Sequence, residues 1–171
     1  DDPYGPTPFA ERMDWPEAPI ETRENVFEAE HMRLLYVSGG EVEVHTVGGY
    51  FHLWDEFSAH LRWAQGAPGD RMLLGFTVDK EGPYDATLSL SQAREYGIVR
   101  VFFDGEPVAG PLDLYDPQIS PEEPVEIGVR QLEAGEHTLG IEILGANPAA
   151  IKRYGVGIDY LRLEPISDPE P

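Results

Sequence analysis

The chain has 171 residues, 41% hydrophobic and 11% aromatic, enough for one domain with a packed core and too apolar for simple disorder. Its 32 acidic and 12 basic residues leave a net charge of −20, which repels nucleic-acid backbones and anionic membranes; cations and neutral ligands remain. The absence of cysteine excludes disulfides, thiol nucleophiles, Fe–S clusters and cysteine zinc sites, and no apolar run is long enough for a spanning helix.

The sequence opens without Met and without a signal-like apolar stretch, so it reads as a processed or excised product. An acid-rich surface with only Lys80 and Lys152 as lysines suits a salty or extracellular setting, and the expected location is secreted or periplasmic. Residues 1–25 carry Pro3, Pro6, Pro8, Pro16 and Pro19 among mostly acidic charges, with neither helical nor strand period. They read as an extended arm or linker, in which Phe9, Met13 and Trp15 are the anchors for docking onto the domain's own surface or onto a neighbouring subunit. Residues 166–171 form a short Pro- and acid-containing tail.

From residue 26 to 165 the pattern is β. Tyr84, Ala86, Leu88 and Leu90 alternate with polar residues, as do Leu139, Ile141 and Ile143, and Val99, Val101 and Phe103 form a third such face. Period-2 alternation marks strands with one buried face. Strands are expected near 26–31, 41–46, 59–65, 71–78, 84–91, 98–103, 112–115, 125–132, 136–144 and 156–163. Turn residues punctuate them at Ser38-Gly39-Gly40, Gly48-Gly49, Pro68-Gly69-Asp70, Asp104-Gly105 and Ala134-Gly135. Asp104-Gly105 is a hairpin turn, because both residues tolerate positive φ. Many short strands with frequent turns predict an all-β, two-sheet β-sandwich of the jelly-roll type.

On an opening strand Glu28 and Glu30 point to one side, roughly 7 Å apart. Asp159 shares its parity with Leu161 and Leu163, which puts a carboxylate in line with inward residues. If first and last strands are neighbours, the three acids converge into a hard-oxygen site suited to Ca²⁺. The alternatives are a solvated face for the two glutamates and an arginine or backbone N–H partner for Asp159.

Sugar rings stack their C–H faces on aromatics while planar polar groups meet their hydroxyls. Trp54 with Asp55, and Tyr50, form the first candidate platform; Tyr96, Tyr115 with Asp116, and Tyr154, near expected loops, come next. Trp63, on a strand, belongs to the core. The prolines between Tyr115 and Pro124 stiffen a loop that can shape an interaction edge. No histidine pair has helical zinc spacing, and His137 reads as a strand residue with its hydrogen bonds met. There is no Gly-x-Ser-x-Gly elbow and no phosphate-cradling glycine loop, so nothing in the motifs marks an enzyme.

The opening Phe27-Glu28-Ala29-Glu30 and closing Val156-Gly157-Ile158-Asp159-Tyr160-Leu161-Arg162-Leu163 resemble the two ends of carbohydrate-binding-module-like, galactose-binding-like β-sandwiches. Gly82-Pro83-Tyr84, Arg94-Glu95-Tyr96-Gly97, Phe103-Asp104-Gly105, Leu132 to Leu139 and Gly145-Ala146-Asn147-Pro148 extend the likeness across about residues 26–165. Such sandwiches accompany bacterial carbohydrate-active domains, including DUF2961-type ones. The resemblance implies a structural Ca²⁺ shared by Glu28, Glu30 and Asp159, tying the chain's ends together. It also implies a non-catalytic, extracytoplasmic module that engages a glycan or braces a larger carbohydrate-active protein. The competing expectation is a structural subunit of an extracytoplasmic complex whose arm docks onto neighbouring subunits. A small glycoside-acting enzyme is the third.

Overall fold

The computed structural model describes residues 25–46, 59–118, 120–121 and 124–166; of Glu30, His45, Thr46, Ala59, His60, Ser120 and Pro121 it describes the backbone only. The expected arm lies outside these residues. The elements in order are β1 (Val26–Glu28), a 3₁₀ turn (Ala29–His31), β2 (Arg33–Val37), β3 (Glu41–Thr46), β4 (Ala59–Ala64), β5 (Arg71–Val78) and β6 (Gly82–Gln92). There follow β7 (Ile98–Phe103), β8 (Glu106–Asp113), β9 (Ser120–Pro121), β10 (Val125–Leu132), β11 (Gly135–Gly145) and β12 (Val156–Pro165).

Among the described residues two antiparallel sheets pack as a sandwich. One runs β10-β6-β12-β4-β3, with β1 paired to β12 and β9 to β6; the other runs β2-β5-β11-β7-β8. The alternating faces meet between them. Ala86, Leu88, Leu90, Leu61, Trp63, Val156, Ile158, Leu161 and Leu163 of the first sheet face Leu74, Met72, Leu139, Ile141, Ile143, Val99, Val101 and Phe103 of the second, all at most 1% exposed. Each large side chain withdrawn from water contributes about 1.5–3 kcal/mol, so these rows dominate the stability of the fold. Trp63 is in the core as expected, and its indole N–H donates to the Gly39 carbonyl at 2.7 Å.

The Asp104-Gly105 hairpin forms as read, with φ of +51° and +83° between paired Phe103 and Glu106. Asp104 Oδ1 accepts the Thr138 N–H at 2.8 Å, and its Oδ2 lies 2.7 Å from His137 Nδ1. His137 Nε2 lies 2.7 Å from the Glu133 carbonyl oxygen, so both ring nitrogens have partners.

Three expectations need correction. Residues 29–31 are a 3₁₀ turn and not the continuation of β1, so strand alternation does not relate Glu28 to Glu30. β2 was not foreseen: Arg33–Val37 is an apolar run whose pairing with β5 slips between Leu34 and Tyr36, which destroys the period-2 signature. The strand expected at 112–115 is β8, at Glu106–Asp113; Pro107 and Pro111 are tolerated because β8 is the outermost strand of its sheet.

Candidate functional site

The outermost strands in sequence are neighbours in space. β1 pairs antiparallel with β12, placing Val26, Phe27 and Glu28 opposite Arg162, Leu161 and Tyr160. The same β12 carries β4 further along, with Ile158 opposite Leu61 and Val156 opposite Trp63. Asp159 therefore stands where β4's pairing ends and β1's begins, and the 3₁₀ turn packs there against both β12 and β4. On β12's other side the pairing with β6 slips between Ile158 and Tyr160.

That bulge explains Asp159's burial. Alternation counted back from Leu163 and Leu161 puts Asp159 on the inner side; counted up from Val156 it puts Ile158 there. Both are buried, Ile158 at 0% and Asp159 at 5%, and the extra residue of the bulge reconciles the two counts. A carboxylate in such a place costs several kcal/mol unless charge or donors compensate it (about 3–5 when a buried partner is lost). Glu28 is half-buried, one register step away, and lines with His31, Arg33 and Glu136 a cleft of about 510 Å³. Glu30 belongs to the turn, and its side chain lies outside the described residues. Among the described residues no three His, Asp or Glu side chains converge as metal ligands. Glu28 and Asp159 lie on adjoining strands one register step apart, and carboxylate oxygen is a donor type that fits Ca²⁺.

A second locus is the loop cluster at the Val156 end of β12. The Ala93 N–H donates to the Leu114 carbonyl (3.0 Å), Leu114 to Gly97 (3.1 Å), Gly97 to Gly155 (2.9 Å) and Gly155 to Glu95 (2.9 Å). These bonds gather the segments bearing Tyr96, Tyr115 and Tyr154. Asn147 Nδ2 donates to Asp113 Oδ2 at 2.8 Å, fixing the adjacent loop, and Asp116 Oδ1 accepts the Gln118 N–H. Tyr115 and Tyr154 are half-buried.

Tyr96 is different, and its place on the list of sugar-stacking candidates is corrected. At 3% exposure its ring is closed inside the protein. It lies along β12: a Cβ at Gly155 would stand 2.9 Å from its Cδ1, and one at Gly157 would stand 2.8 Å from its hydroxyl and 3.0 Å from Ser91 Oγ. Two glycines thus form the slot for this ring. Burial pushes the phenol up to about 12, against the pull of the Arg62 charge and with a further push from Glu95 and Glu43. Tyr50, Trp54 and Asp55, and the arm residues Phe9, Met13 and Trp15, lie outside the described residues.

Two aromatics that sequence reasoning missed stand on the outer face of the five-stranded sheet. Tyr36 is 39% exposed, and Phe102 is half-buried. Tyr36 sat in the unforeseen β2. Phe102 was detectable: it occupies the solvent parity between Val101 and Phe103, where a strand with one wet face normally carries a polar residue.

No family model matches the chain, and no curated protein matches it. A Paenibacillus xanthan lyase superposes with a TM-score of 0.69 at 17% identity, covering 86% of this chain and 14% of that one. A GH26-CBM35 β-(1,4)-mannanase from Podospora anserina superposes with a TM-score of 0.51 at 21% identity, over 85% of this chain and 28% of that one. The fold is a two-sheet β-sandwich, and a segment of each of these chains shares it. A CBM36-1 domain of a multidomain xylanase from the hindgut metagenome of Trinervitermes trinervoides is also similar, at 18% identity and a TM-score of 0.48 over 98% of its length. The chain spans only a small part of the lyase and the mannanase, and at these identities the likeness is one of fold.

Proposed function

We propose that this sandwich is a non-catalytic glycan-binding module that works outside the cytoplasm, beside or within a larger carbohydrate-active protein. The observation that carries the reading is the loop cluster. It holds the half-buried Tyr115 and Tyr154, the latter packed against the core, on a backbone network beside the Asp113–Asn147 pair and Asp116. Rigidly held rings next to planar polar groups suit the two faces of a sugar, apolar C–H and hydroxyl. That similar sandwiches occupy 14% and 28% of two much longer chains supports the idea of a module bracing a larger protein.

Ca²⁺ held by Glu28, Glu30 and Asp159 is part of this reading. Its chemistry would be neutralisation of clustered carboxylates, with no reaction to promote. Glu28 would bring β1 and Asp159 would bring β12, so the ion would fasten the first strand to the last. The burial of Asp159 at the junction supports this assignment.

Affinity electrophoresis of the full chain through gels containing neutral β-linked glucan, xylan or mannan tests the function. Retardation by at least one polysaccharide is expected, weakened in Tyr115→Ala or Tyr154→Ala. Migration of the wild-type chain unchanged in every gel would refute it.

A further inference from the structure

The outer face of the five-stranded sheet carries a groove of about 270 Å³ that the loop cluster does not touch. One cross-strand row builds it. Tyr36 on β2 is opposite Leu73 on β5, Leu73 is opposite Gly140 on β11, and Gly140 is opposite Phe102 on β7. The aromatic residues are separated by three strand spacings, roughly 14 Å between backbones. Between them the floor is low because β11 has no side chain there: a Cβ at Gly140 would already touch Leu73 Cδ1 and Phe102 Cβ at 3.4 Å.

The rim is polar. The Arg71 guanidinium lies 5.4 Å from the Phe102 ring centroid and 3.6 Å from Glu142 Oε2. Arg71 lines the groove and is 61% exposed; Glu142, its ion-pair partner, is only 18% exposed and is not part of the lining. Glu142 stands between Arg71 and Arg100 in the adjacent cross-strand row, so the rim is locally basic on a protein of net charge −20.

We infer that this groove is a second binding site, distinct from the loop cluster, for a neutral polysaccharide strand lying across the sheet. The inference rests on the glycan-binding reading above. Charge selects the occupant. A second copy of this chain brings another −20 and is repelled, and a polyanion fares no better. An uncharged polyhydroxylated chain meets no such penalty. Its C–H faces stack on Tyr36 and Phe102, and its hydroxyls meet the donors of Arg71. A flat, extended ligand also suits a trough open along the row, where a compact ligand would leave one ring unused.

The test is calorimetric titration of the full chain with cello-, xylo- and mannohexaose, comparing wild type, Tyr36→Ala, Gly140→Val and Tyr154→Ala. Tyr36→Ala removes a half-exposed ring, and Gly140→Val raises the floor without needing a left-handed backbone. Each is expected to weaken hexasaccharide binding about tenfold, the scale of one lost stacking contact and its buried area. If Gly140→Val does not fold, Tyr36→Ala carries the test. Undiminished affinity in the groove variants with loss in Tyr154→Ala would overturn this inference and leave the glycan reading standing. Failure of wild type to bind any of the three would overturn both. A dimer in sedimentation that dissociates in Tyr36→Ala would also overturn it, by assigning the groove to a second copy.

Discussion

His137 should make the sandwich more dependent on its imidazole at low pH than at high pH. Its Nδ1 faces a carboxylate oxygen of Asp104 and its Nε2 the carbonyl oxygen of Glu133, each at 2.7 Å. Only the doubly protonated ring donates to both. Burial alone would lower the pKa, but the bond to the Glu133 carbonyl, the bond and charge of Asp104, and the charge of Glu133 outweigh it and raise it above the ordinary 6.5. The consequence for stability follows from that direction. A raised folded pKa means the protonated ring's contribution is complete below about 6.5 and fades as pH rises through the folded value. Each charge-assisted bond is worth about 1.5–3 kcal/mol, and the Asp104 side is discounted because that carboxylate is 39% exposed. Deprotonation leaves one bond and sets a lone pair against an oxygen, so the pH-dependent part is about 1–2 kcal/mol. His137→Phe is the useful variant, since the ring packs within 6.0 Å of Phe76 and 6.3 Å of Phe103 and phenylalanine keeps that packing. Thermal melts of both proteins at pH 5.5 and pH 9 should show a Tm gap that is larger at pH 5.5, by roughly 3–6 °C. A gap independent of pH, or widening toward pH 9, would refute the reasoning.

Two further outcomes are expected. Gly157→Ala places a methyl 2.8 Å from the Tyr96 hydroxyl and should cost about 1–3 kcal/mol in chemical denaturation; the loss should shrink in a Tyr96→Phe background, and equal losses in both would show the two are uncoupled. Chelation should lower Tm, with Ca²⁺ restoring it by mass action, and Asp159→Ala should abolish both responses; a melting curve indifferent to chelator would remove the ion from the proposal.

The rows of alternation were enough to find the core. Leu88, Ile141, Val101 and their partners face inward as counted, and the Asp104-Gly105 turn is chemistry that two adjacent residues carry alone. The candidate site was only half legible. That Asp159 is buried was readable from parity with Leu161. That Ile158 beside it is buried too was not, because a bulge is a register slip between two strands and has no local signature. The same is true of β2, whose slip against β5 hid Tyr36. Tyr96 looked like a loop aromatic since its neighbours are Glu95 and Gly97; the slot that encloses it is built by Gly155 and Gly157, some sixty residues on.

The sequence by itself determined the class of the fold, the two apolar faces and the tight turns, because these follow from side-chain period and backbone preference over a few residues. Only the tertiary structure decided which strands meet: that β1 and β4 share one edge of β12, that a carboxylate is buried at their junction, and that Tyr36, Gly140 and Phe102 fall in one row. Those placements are set by which pairings bury the apolar faces together, a condition on the whole chain that no short stretch encodes.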